Sequence, residues 1–294
     1  TSNHATDKKN KKKSFGFKKF FLALLTLFIV VFLGVGCGLV AIGLDGDKDV
    51  SDIHPPASSQ ILDMNGNLIT NIHATENRTL VTLDKIPANL QNAFIAVEDN
   101  RFYEHNGIDP RGIFRAIYSN LTSGEVAEGG STITQQLAKN AFLSQDRTFK
   151  RKIQEFFIAL RLERQYTKEE ILEMYLNQIY FGRGAYGVQA AAQTYFGKDV
   201  SQLDLSECAM LAGIPRSPNY YSPLNNLGAA NERKAEVLDQ MVKYGYIDST
   251  TADKTKAESL RLVNPKEQEN DNTASYFIDY VTQEMIDKFG ADAV

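Results

Sequence analysis

The chain has 294 residues, 43% of them hydrophobic and 23% charged, which excludes a disordered or fibrous protein and allows an anchor plus one or two folded units. Its two cysteines, Cys37 and Cys208, supply no disulfide framework and no metal-binding spacing. The net charge of −4 is unevenly spread. Lys8, Lys9, Lys11, Lys12, Lys13, Lys18 and Lys19 against Asp7 give residues 1–19 a charge of +6, so a total of −4 leaves −10 for the remainder.

A basic run of this kind can bind nucleic acid, but here it directly precedes residues 20–44, which carry no charge. At about 1.5 Å per residue such a helix spans a hydrocarbon core of about 30 Å. It has no polar stripe, unlike a buried core helix. The basic flank then lies in the cytoplasm and everything after Asp45 lies outside, with no nucleic-acid partner expected. A cleaved signal peptide or a lipid-modified Cys37 is the alternative, suggested by Gly34, Gly36 and Gly38. The expected organisation is a basic tail (1–19), a transmembrane helix (20–44), a stalk with Pro55-Pro56 (45–58), a folded domain (59–256) and a linker opening a further region (257–294). Apolar residues within 275–289 favour a chain that continues.

The folded part begins with a strand pair around Asn65-Gly66, a hairpin signal. Beyond Ile86-Pro87 the periodicity is helical to about Lys256. Leu90, Ala93, Phe94 and Val97 form one stripe that runs up to Glu98. Asp109-Pro110 opens a second helix, with Ile113, Phe114, Ile117, Tyr118 and Leu121 on it. Phe149, Ile153, Phe156, Phe157 and Leu160 mark a third. Thr167 with Glu170, and Asp204 with Glu207, are capping boxes for two more, and residues 231–244 form another that Gly245 stops.

Four constellations could carry chemistry. The first spans residues 98–107, with Glu98, Asp99, Phe102 and His105. A carboxylate at the negative end of a helix dipole, beside apolar neighbours, suits general-base work, although a solvated helix end would read the same. The second, residues 129–140, runs from Gly129-Gly130 through Ser131, Thr132, Gln135 and Gln136 to Lys139. It could cradle phosphate at a helix N-terminus or be an ordinary capped helix, and it lacks P-loop spacing. The third sets Glu155 beside Arg151 and Lys152 at i,i+4 and i,i+3, which fits either a solvated face or a diphosphate site. The fourth, residues 180–187, has Gly182, Gly184 and Gly187, as close backbone approach requires.

Taken in order, these blocks resemble glycosyltransferase family 51, the glycosyltransferase domain of class A penicillin-binding proteins. The matching blocks are residues 98–107, 129–136, 151–155, 177–187 and a Pro-rich block at 207–218 that includes Arg216. The resemblance implies a mostly α, lysozyme-like fold with a head lobe and a smaller membrane-facing lobe, preceded by one transmembrane helix. It implies inverting polymerisation of lipid II into β-1,4 glycan strands with release of lipid diphosphate. Glu98 matches the general base and Glu155 the second family carboxylate. Lys139, Arg151 and Lys152 match the cations that stabilise the diphosphate, while Ser131, Thr132, Gln135 and Gln136 line the donor pocket. Asp99, Phe102, His105 and Arg216 complete the expected substrate contacts.

A divalent cation, Mg or Mn, is expected on the diphosphate, with Asp99 a candidate ligand and no organic cofactor. Expected partners are lipid II, the growing lipid-linked glycan, the membrane, and proteins of wall synthesis or division. The expected location is the bacterial cytoplasmic membrane, single-pass, with the catalytic domain outside. No Ser-x-x-Lys or Lys-Thr-Gly occurs, so no transpeptidase is expected within these residues. A wall-degrading lysozyme-like enzyme would share the fold and one glutamate but needs no cation cluster. A non-enzymatic scaffold would not need Glu98 and Glu155 intact.

Overall fold

The computed structural model describes Val50, most of residues 59–72, residues 77–123, 130–143 and 148–263, and a few positions between 280 and 288. The expected tail, membrane span and Cys37 lie outside the described residues, as do nearly all of the stalk and most of the segment 275–289. Among the described residues no helix is long and apolar enough to cross a membrane.

Strands β1 (Ser59–Leu62) and β2 (Leu68–Ile72) form the expected antiparallel hairpin, pairing Ser59 with Ile72. A second pair, which periodicity could not reveal, is the parallel β3 (Asn77–Arg78) and β4 (Ala185–Tyr186). Two-residue strands carry no readable alternation.

Nine helices follow the hairpin among the described residues. The first five are α1 (Ala88–Glu98), α2 (Pro110–Ser123), α3 (Ile133–Phe142), α4 (Phe149–Gln165) and α5 (Lys168–Gln178). The remaining four are α6 (Val188–Phe196), α7 (Leu205–Gly213), α8 (Leu227–Lys243) and α9 (Ser249–Ala257). Thr132, Thr167 and Asp204 close reciprocal capping boxes with Gln135, Glu170 and Glu207, so α3, α5 and α7 start where their sequences say. α8 begins at Leu227 rather than at 231 because the Asn226 side chain accepts from the Ala229 amide at 3.1 Å. α6 lies within the stretch expected to be helical, but no apolar stripe marks it out. Val188, Gln189, Ala190, Ala191, Ala192 and Tyr195 are all buried, so it has no polar face to contrast with an apolar one.

α1 packs on α7 and α8, while α3 packs on α4 and α5. Phe94 joins the two groups from α1. Its fully buried ring stands edge-on to Tyr175 at 5.9 Å and to Phe181 at 6.1 Å. Truncating such an aromatic to Ala typically costs about 3–5 kcal/mol, so this contact is a main tie between the groups. On α2 the expected apolar stripe is largely uncovered. Phe114, Tyr118 and Leu121 are 74%, 72% and 77% exposed, while Gly112 and Ala116 face inward.

The loop between α5 and α6 returns sharply on itself. The Gly187 amide donates to the Ile179 carbonyl at 2.8 Å, and the Tyr195 hydroxyl donates to the Phe181 carbonyl at 2.7 Å. Gly187 has φ +79°, and a Cβ there would sit 2.7 Å from the Asn177 carbonyl oxygen. Gly187→Ala therefore meets both left-handed strain and backbone overlap, and should lose about 2 kcal/mol or more of stability. Denaturant unfolding checks this, and a midpoint unchanged from the parent would mean the turn relaxes freely.

Candidate active site

The first constellation folds into a short, tightly tied turn. Glu98 is the last residue of α1, and Asp99 caps that helix with its amide on the Ile95 carbonyl. The Asp99 side chain turns inward. It accepts from His105 Nε2 at 2.9 and 3.0 Å and from the Ile133 amide at 3.0 Å. A carboxylate only accepts here, so His105 carries its proton on Nε2. Asp99 is thus the anion at the N-terminus of α3, where the helix dipole favours negative charge.

Of the two readings open at that helix end, a phosphate cradle or an ordinary capped helix, the hydrogen bonds favour the capped helix. The Ile133 amide goes to Asp99, the Gln135 amide to Thr132 Oγ1 at 3.1 Å, and the Thr132 amide to Gln135 Oε1 at 3.0 Å. The Thr132 hydroxyl donates to the Gly107 carbonyl at 2.6 Å. Thr132 and Gln135 are buried and hold the fold. Phe102 is fully buried, its ring edge-on to Tyr103 and His105 and beneath the Lys168 ammonium at 4.4 Å. Asp109 grips the Arg101 guanidinium through two nitrogens.

What remains exposed to a substrate comes from three helices. From α3, Gln136 Nε2 donates to Glu98 Oε2 at 2.7 Å. Lys139, one turn further along, senses charges on both sides. Burial pushes its ammonium below its ordinary value. Glu155 and Glu98 pull it back up, and Arg151 and Lys152 push it further down. On α4 the Lys152 ammonium donates to Ser131 Oγ at 2.8 Å and pairs with Glu155, whose other oxygen lies 3.4 Å from an Arg151 nitrogen. Glu155 is 2% exposed and enclosed by these cations, so it organises them from below. The structure therefore brings Glu98, Gln136, Lys139, Ser131, Arg151, Lys152 and Glu155 into one neighbourhood.

Beside it runs a cleft of about 420 Å³, lined by Gln136, Lys139, Asn140, Gln178, Tyr180, Tyr186 and Pro218, among others. Tyr180 and Tyr186 form a tilted aromatic pair, centroids 4.7 Å apart, with Arg78 5.2 Å over Tyr186. Both tyrosines stood in the glycine-rich block but were not singled out; aromatics flanking glycines were the available signal. Arg216 stands exposed on a 3-10 turn, Ile214–Arg216, whose Pro215 also lines the cleft. Among the described residues no three His, Cys, Asp or Glu side chains converge as a metal cage would need. Asp99, the expected candidate ligand, already accepts from His105 and the Ile133 amide. Cys208 is buried, and burial holds its thiol well above the ordinary range, so it is inert packing.

The chain belongs to the transglycosylase family, whose profile matches residues 65–242. Penicillin-binding protein 1F of Bacillus subtilis (strain 168) is 45% identical over 92% of this chain and 38% of its own length. Penicillin-binding protein 1A of Escherichia coli (strain K12) is 45% identical over 94% of this chain and 33% of its own. The chain thus spans between a third and two fifths of these relatives. A crystal structure of penicillin-binding protein 1A from Haemophilus influenzae is 28% identical, with a TM-score of 0.47, covering 81% of this chain and 25% of that one.

The partly buried position of Lys139 has a measurable consequence. Its ammonium should titrate below the ordinary value of 10.5. The charged form then costs stability at neutral pH, and that cost is relieved as pH rises through the folded value towards the unfolded one. The NMR signal of its ε-methylene, assigned by its loss in Lys139→Met, checks this. A midpoint at or above 10.5 would contradict the desolvated placement.

Proposed function

We propose that this chain is a peptidoglycan glycosyltransferase that polymerises lipid II into β-1,4 glycan with inversion. The observation that supports this best is the shared neighbourhood of one helix-end carboxylate, Glu98, and three cations, Lys139, Arg151 and Lys152. The reaction needs both. Glu98 takes the proton from the 4-hydroxyl of the incoming lipid II. That oxygen forms its bond to the anomeric carbon of the growing chain, from the face opposite the leaving group. The bond from that carbon to the diphosphate oxygen breaks, and the electron pair leaves with the lipid diphosphate.

Lys139, Arg151 and Lys152 meet the charge that develops on the diphosphate. A lost donor in comparable oxyanion sites costs about 2.7–4 kcal/mol, against roughly 0.5 kcal/mol for an ordinary surface residue. Glu155 contributes through the cations it holds. A lysozyme-like hydrolase would have no use for three cations beside its acid. A divalent cation would be carried on the substrate diphosphate, a common mode for Mg²⁺.

The uncovered stripe of Phe114, Tyr118 and Leu121 on α2 suits contact with the acyl region of a bilayer, where a lipid-linked donor is found. With the basic and apolar segments at 1–44, this supports an enzyme tethered to the outer face of the cytoplasmic membrane, working beside other wall-synthesis or division proteins.

The direct test is Glu98→Gln assayed with labelled lipid II. Gln keeps the shape but cannot accept the proton, so chain growth should fall by about 10²–10⁴-fold, with lipid II binding and the unfolding midpoint close to parental. Near-parental polymer formation would place the base elsewhere.

A further inference from the structure

Tyr175 on α5 is fully buried, among the largest side chains that are. Its hydroxyl is the one polar group it brings into the core, and it faces the site from behind. The phenol oxygen lies 3.4 Å from Gln136 Oε1, and Gln136 Nε2 lies 2.7 Å from Glu98 Oε2. Three residues from three helices therefore stand in a row, from the core out to the carboxylate.

The direction of that row is set by chemistry. A carboxylate can only accept, and a primary amide has one accepting end and one donating end. If the Gln136 amide turned over, its oxygen would face the Glu98 oxygen, two acceptors in opposition. The acceptor-only carboxylate already excludes that arrangement, and a donor behind the amide oxygen adds a second restraint on where the side chain sits. Tyr175 is such a donor, since burial first, and then Glu98 and Asp99, push its phenol well above the ordinary value. At 3.4 Å the contact is long for O–H···O, so it restrains the position of the amide more than it adds strength. Phe94, edge-on to the Tyr175 ring at 5.9 Å, fixes where the hydroxyl points.

We propose that Tyr175 is a positioning residue for the transfer reaction, fixing the Gln136 amide so that it holds Glu98 Oε2 and leaves Oε1 to take the acceptor's proton. This rests on the reading of Glu98 as the base. Tyr175 touches no substrate, and its effect passes through Gln136. The amide of Gln136 then does two things at once: it lines the cleft, and it sets the angle of the carboxylate beside that cleft.

The experiment compares Tyr175→Phe, Gln136→Ala and the double variant for polymerisation of labelled lipid II, with Glu98→Gln as reference. Tyr175→Phe keeps the ring and removes only the hydroxyl. Its kcat should fall about tenfold, short of the ~100-fold that an ångström of misplacement can cost, with KM unchanged. The double variant should be no slower than Gln136→Ala alone, because both changes cut one path. A purely structural tyrosine would instead lower the unfolding midpoint, raise KM or add its loss to that of Gln136→Ala. Any of those results, or a parental kcat in Tyr175→Phe, overturns the proposal. If Tyr175→Phe does not fold, a parental kcat in Gln136→Ala overturns it from the other end. An active Glu98→Gln would instead show that the base assignment, not the relay, has failed.

Discussion

Burying a carboxylate without compensation costs several kcal/mol, and the fold around the site is arranged to avoid that cost at Asp99. His105 Nε2 and the Ile133 amide both donate to it, and the positive end of α3 adds a favourable dipole. The consequence is geometric. The residue that follows Glu98 is pinned to the start of the helix that carries Gln136 and Lys139. The end of α1 cannot shift without stripping partners from a buried charge. Glu98 inherits its position from this constraint, and Gln136 refines it from one turn along α3.

The cations are held by the complementary device. Glu155 is as buried as Asp99 is, yet its partners are Lys152 and Arg151, both on its own helix. Its negative charge allows two positive groups to stand close together beside Lys139, where their mutual repulsion would otherwise spread them. The link from Lys152 to Ser131 ties this array to the residue just ahead of the α3 cap. One buried acid therefore places Glu98, and another gathers the cations. The two acids do different work from similar depths.

Much of this was legible in the sequence because it depends on local rules. The capping boxes at Thr132, Thr167 and Asp204 rest on side chains three residues apart, and the Glu155 pairs on i,i+3 and i,i+4 spacing. Those spacings fix contacts whatever the tertiary fold. What was not legible depends on contacts across the chain. The Asp99 bond to Ile133 spans 34 residues, and the Tyr175 contact with Gln136 spans 39. Nothing local marks Asp99 as a helix anion rather than a ligand, or tells a buried Tyr175 from any other core tyrosine. Within the stretch read as helical, the bounds of α6 were not legible, because burial along most of its length left no apolar stripe to read.

The family reading added what spacing alone could not, the order in which separate blocks come together. Thr132, Gln135 and Phe102 are buried, and Thr132 and Gln135 are held by hydrogen bonds at the start of α3. These side chains build the wall behind the site, while Gln136, Lys139 and Tyr180 face the cleft.

The proposed reaction has one carboxylate and a separate cation cluster acting on opposite sides of an anomeric carbon. Its stereochemical outcome is therefore fixed: a single displacement inverts that carbon, whereas a covalent enzyme intermediate retains it. The most direct measurement is the anomeric configuration of the new linkages, read by NMR on polymer made from lipid II by this protein. The account predicts uniformly β-linked glycan, inverted relative to the donor, with one lipid diphosphate released per bond. Linkages that retain the donor configuration would contradict it, and so would free sugar released by water without any polymer.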